Sequence, residues 1–95
     1  MRISLALALV VSLATAQAAS SEPPAGAAAC TGCHPESTGV ETPVPRLAGR
    51  NAADIVAAMQ AFRSGQTPAT VMDRIAKGFT VEEIQAIAAW YAAQR

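Results

Sequence analysis

ACTGCHPES, residues 29–37, holds both cysteines and the lone histidine of a 95-residue chain. Cys30, Cys33 and His34 stand together and nowhere else, and that grouping has four chemical readings. A structural disulfide is compatible with an exported protein, but it closes a tiny ring and leaves His34 without a role. A redox-active dithiol calls for a βαβ setting, and no alternating strand pattern occurs in the chain. A tetrahedral zinc site needs four ligands. With no further cysteine or histidine, carboxylates would have to complete it.

The fourth reading gives every residue a task. Cys-x-x-Cys-His is the attachment pattern of a c-type haem. The thiols of Cys30 and Cys33 add across the porphyrin's vinyl groups, and His34 offers Nε2 to the iron as proximal ligand. One covalent haem is therefore the expected cofactor, and the rest of the chain can be read for whether it suits one.

The chain begins MRISLALALVVSLATAQAASS: a basic Arg2, an apolar run from Ile3 to about Leu13, then small residues. ATA at 14–16 and AQA at 16–18 fit the small-x-small cleavage rule of a secretory signal peptide. About a dozen apolar residues fall short of the roughly 20 that span a bilayer, which favours cleavage over a retained anchor. The expected organisation is a signal peptide at 1–18 and one domain at 19–95, located in the periplasm, with no stable membrane insertion after cleavage. Cutting after Ala18 leaves 77 residues with six basic and seven acidic side chains, a net charge of −1. That balance supplies neither a basic stripe for nucleic acid nor a polybasic membrane patch.

The core is poor in large side chains. The chain has 23 alanines, yet only sixteen large apolar residues follow the signal. A domain of this size buries little surface and usually needs a disulfide, a metal or another staple. Something other than side chains is expected to fill its interior, and a haem is a large, flat, apolar body.

Local signals point to an all-α fold, with three main helices and long loops around one haem. Proline suits a first helical turn, and the alanines of residues 20–29 would carry a short helix into Cys30. Residues 35–49, with three prolines and two glycines, read as an ordered loop. Asn51 is a suitable N-cap for a helix over 52–63, where Ile55, Val56, Met59 and Phe62 recur at helical spacing and Gly65 ends it. Residues 73–77 suit about one helical turn ended by Gly78. Thr80 and Glu83 form a capping box for the last helix, with Phe79 and Ile84 at the positions of a hydrophobic staple.

A sixth iron ligand has to be a methionine, since no second histidine exists. Met59 lies on the apolar stripe of the middle helix, where methionine usually fills core. Met72 lies in the irregular stretch TPATVMDR, where backbone freedom favours it. Histidine–methionine ligation raises the potential, and a closed six-coordinate iron suits electron transfer. The chain offers no distal acid–base group, which weighs against a peroxidase.

CTGCH, PRLAGR, FRSG, ATVMDRIAKGF and EEIQAIAAWYAAQ together resemble the small class I c-type cytochromes of bacterial periplasms. The likeness is strongest to the cytochrome subunits of flavocytochrome c sulfide dehydrogenases. The resemblance implies that the Pro45 carbonyl accepts a hydrogen bond from His34 Nδ1–H and that Leu47 presses on the haem. It also implies that Arg50 approaches a haem propionate and that Trp90 or Tyr91 seals the last helix against the first. The chain departs from the pattern in a short first helix without an aromatic residue, in Pro35 after the histidine, and in Asp73 after Met72.

The function so implied is electron transfer without catalysis by this chain, as the electron-accepting subunit of a flavoprotein dehydrogenase. The alternatives are a free soluble electron shuttle to an oxidase or photosynthetic centre, and a gas-binding or sensing haem from which Met72 is displaced.

Overall fold

A computed structural model describes residues 22–94; the expected signal peptide lies outside them. Four helices follow in order: α1 Ala27–Cys30, α2 Ala52–Ser64, α3 Met72–Lys77 and α4 Val81–Ala93. No strand occurs among the described residues. The chain is all-α, consistent with a small cytochrome c-like fold.

The ends of the two long helices follow from their own residues. Asn51, in the extended region, accepts a 3.2 Å hydrogen bond on its side chain from the Asp54 N–H, satisfying one orphan donor of α2. Gly65 stops α2 in the left-handed conformation, φ 78°, with its N–H returned to the Phe62 carbonyl. The capping box of α4 is complete: Glu83 N–H donates to Thr80 Oγ1, and Thr80 N–H to Glu83 Oε1, both at 3.1 Å.

The short helices depart from the sequence reading. α1 begins only at Ala27, because Gly26 stands at φ 85° and cannot belong to a right-handed helix. A Cβ at Gly26 would lie 2.5 Å from Cε1 of Phe79, so the chain here needs glycine for space as well as for conformation. α3 begins one residue earlier than expected and takes in Met72, which therefore does not lie in irregular chain. Val71 precedes it without a side-chain cap. The charges suit the helix dipole, with Asp73 in the first turn and Arg74 and Lys77 in the last.

α2 packs against both α3 and α4. The largest buried cluster joins Ala27 of α1, Ile55 of α2, and Ile87, Ala88 and Tyr91 of α4, with Cys30, Leu47, Val56, Phe79 and Trp90 packed around it. Ala27 and Ala88 are fully buried, so backbones approach closely there. Ile84 is the single large side chain fully enclosed among the described residues, whereas Val40, Val71, Ile75 and Val81 are exposed. The core is thin.

Candidate functional site

The cysteine–histidine segment continues the turn of α1. Cys33 N–H and His34 N–H both donate to the Cys30 carbonyl, at 3.2 and 2.9 Å, and Gly32 N–H donates to the Ala29 carbonyl at 3.2 Å. Thr31 Oγ1 ties the same turn to the Ala28 carbonyl at 2.7 Å. These bonds stack Cys33 and His34 beside Cys30, one turn on. Both thiols are free; Cys30 is half-buried and Cys33 exposed.

His34 is half-buried, and its Nδ1 is hydrogen-bonded to the Pro45 carbonyl oxygen. A carbonyl can only accept, so Nδ1 carries the proton, and in the neutral ring Nε2 keeps its lone pair for a metal. A bond of this kind fixes the tautomer and orientation of a ligating imidazole.

The loop that brings Pro45 to His34 is braced from both sides. Arg46 Nε donates to the Glu36 carbonyl at 2.8 Å, drawing the two arms of the loop together. Gly49 N–H donates to the Tyr91 carbonyl at 2.9 Å, docking the loop on the end of α4. Gly49 has φ 76°, and a Cβ there would stand 3.3 Å from the Gln94 carbonyl. Leu47, half-buried, lies against the core cluster, while Arg50 is exposed at the loop's end.

Tyr91 joins the site to the first helix. It is 4% exposed, and its hydroxyl donates to the Ala27 carbonyl at 2.5 Å. Burial chiefly, then charge on the Cys30 thiol nearby, pushes the phenol up to about 12. Burial likewise pushes the Cys30 thiol above its usual value, partly offset by the neighbouring Tyr91 side chain. Trp90 meets Tyr91 edge to face, ring centres 4.9 Å apart.

Behind His34 lies a cavity of about 130 Å³, walled by Thr31, Glu36, Leu47, Trp90 and Gln94 among others. Trp90 Nε1 is buried without an acceptor. A wider, open groove of about 520 Å³ runs along Pro35–Arg46; neither cysteine nor His34 lines it. It is a feature of the loop rather than of the chemistry.

Cys30, Cys33, His34, Pro45 and Leu47 are thus gathered by α1 and the braced loop. Met72 comes from a separate element, half-buried on α3. Sequence reasoning did not find the Glu36–Arg46 brace, the Gly49–Tyr91 bond or the demand for glycine at Gly26. Only the glycines themselves carried a signal of such close approaches. Among the described residues, no three His, Cys, Asp or Glu side chains converge on a point that could hold a bare metal ion. The donor set that remains, two free thiols one turn apart and an imidazole presenting Nε2, fits a haem.

No protein-family model matches the chain. It is 37% identical over 62 residues to the cytochrome subunit of sulfide dehydrogenase of Chlorobaculum tepidum. The chain resembles that cytochrome. The alignment takes in 65% of this chain and 56% of that relative, so the chain spans little more than half the relative's length. Among the described residues, no helix is long and apolar enough to cross a membrane.

Proposed function

We propose that this chain is an exported monohaem c-type cytochrome that accepts electrons from a flavoprotein, as the cytochrome subunit of a sulfide dehydrogenase or a close equivalent. The observation that carries the reading is His34, held through Nδ1 by the Pro45 carbonyl beside the thiols of Cys30 and Cys33. The name of the Chlorobaculum tepidum relative supports a cytochrome's cofactor and a place in a sulfide dehydrogenase, and the sequence's resemblance to flavocytochrome c subunits supports the flavoprotein partner. The signal-like residues 1–18 support delivery to the periplasm, where such haems are attached.

In this reading Cys30 and Cys33 would hold the haem through thioether bonds to its vinyl groups. His34 would bind the iron through Nε2, and Met72 would bind it through sulfur. When bound, the haem supplies a one-electron ferric–ferrous couple, and the chain itself transforms no substrate. Its residues fix the His34 imidazole through the Pro45 carbonyl. Arg50 is free to meet a haem propionate from its exposed position at the loop's end.

The absorption spectrum of the protein purified from an export-competent host tests the reading. A reduced spectrum of haem c, with a ferric long-wavelength band of sulfur–iron ligation that Met72→Ala removes, is expected. A colourless protein would refute the haem. Persistence of the sulfur band in Met72→Ala would refute the ligand, and rapid carbon monoxide binding by the unmodified ferrous protein would favour a gas-binding haem instead.

A further inference from the structure

The six residues of α3 divide cleanly by exposure. Arg74, Ile75 and Lys77 face solvent, whereas Met72 and Asp73 are half-buried and Ala76 is fully buried. Residues three and four apart share a helix face, so Met72 and Asp73 lie on the packed side with Ala76. Oδ1 of Asp73 is buried and has no hydrogen-bond partner. A buried polar oxygen without a partner is costly, and among the described residues the only other such side-chain atom is Trp90 Nε1. Each unsatisfied buried polar group in a native protein calls for an explanation, and a redox role is one of them.

Resting on the reading of Met72 as an iron ligand, we infer that Asp73 sets the reduction potential of the haem. Its negative charge, on the packed side of α3 that it shares with Met72, stabilises ferric iron relative to ferrous. Thioether ligation drives the potential up, and Asp73 draws it back. The residue neither touches iron nor exchanges a proton in this role; it is a fixed charge in a poorly screened place. Arg74, its neighbour on the exposed face, is an opposite charge that salt screens.

The test is the midpoint potential of the haem-loaded protein, measured by spectroelectrochemistry in Asp73→Asn. Asparagine keeps the shape and removes the charge. At a fixed electrode potential the ferrous-to-ferric ratio is expected to rise severalfold, as loss of a unit charge beside an iron ligand requires. The rise should survive high salt, whereas any shift in Arg74→Gln should shrink as salt is added. An unchanged potential in Asp73→Asn, with the sulfur–iron band intact, overturns the inference. So does a shift that salt abolishes. Absence of that band in the unmodified protein refutes the Met72 reading instead, which separates the two failures. Should Asp73→Asn misfold, Asp73→Ser is read by the same criteria.

Discussion

Replacing Gly26 by alanine isolates what holds the first helix in place. Two separate costs follow from the structure. An alanine forced to φ 85° is disfavoured by about 1–2 kcal/mol, partly offset by the smaller entropy of the unfolded alanine chain. The new methyl would stand 2.5 Å from Phe79 Cε1, and overpacking of that kind costs about 1–3 kcal/mol. Together they predict a loss of about 2–4 kcal/mol. That is a large share of the stability of so small a domain.

A double-mutant cycle with Phe79→Leu separates the two terms. Leucine shortens the ring that the methyl would strike, so Gly26→Ala in that background should retain only the backbone cost, about 1 kcal/mol. The remainder should appear as a coupling energy of about 1–3 kcal/mol. The assay is urea unfolding of the haem-loaded variants followed by circular dichroism. A covalently attached haem stays with the unfolded chain, so cofactor dissociation does not enter the equilibrium. With a urea slope near 1 kcal/mol per molar, Gly26→Ala should lower the midpoint by about 2 M or more. Additive effects of the two substitutions, or a Gly26→Ala protein as stable as the parent, would refute the reasoning.

Tyr91→Phe removes the buried bond to the Ala27 carbonyl and should cost about 1–2 kcal/mol; an unchanged unfolding midpoint would count against that bond. The same phenol gives an alkaline limit. Its pKa of about 12 lies above the unfolded value near 10, so the folded chain holds the proton more tightly. The stability this provides is complete below about pH 10 and lost as pH climbs toward about 12, and Tyr91→Phe should abolish that loss. In a chain carrying haem on Cys30 the thiol's share of the shift would be gone, and the share from burial, the largest single cause, would remain. The doubly substituted Cys30→Ala, Cys33→Ala chain, unable to attach haem, should show little helical dichroism and no cooperative melt; a native-like melt would mean that side chains alone suffice.

The parts legible in the sequence are those set by residues close together along it. Asn51 and Gly65 fixed the ends of α2, and Thr80 with Glu83 the start of α4, because a cap is a local hydrogen bond that its residue types announce. The Cys30-x-x-Cys33-His34 turn was equally local. α3 was misplaced by one residue because Val71 gives no capping signal; its packed face, Ala76 above all, lies where no nearby residue reports it. α1 was overextended because alanine and proline favour helix, while the left-handed Gly26 answers to Phe79, 53 positions away in the chain. The Pro45 carbonyl on His34 was reached through resemblance, since nothing in a proline's sequence context says which imidazole its oxygen will meet.

The two sides of the proposed iron site are built to different standards. His34 is held by a loop that closes on itself through Arg46 and Glu36 and docks on α4 through Gly49, and α4 is pinned to α1 by Tyr91. Displacing that imidazole means breaking bonds on several elements at once. Met72 opens a helix of six residues that has no side-chain cap, too short to hold itself without packing. Its neighbour Asp73 keeps an oxygen buried without a partner, which raises the energy of the closed arrangement rather than lowering it. Local opening should therefore begin at α3 and reach the methionine side long before the histidine side. A chain proposed to pass electrons needs the histidine side fixed, while the thinner support under Met72 leaves the potential open to adjustment by a single charge.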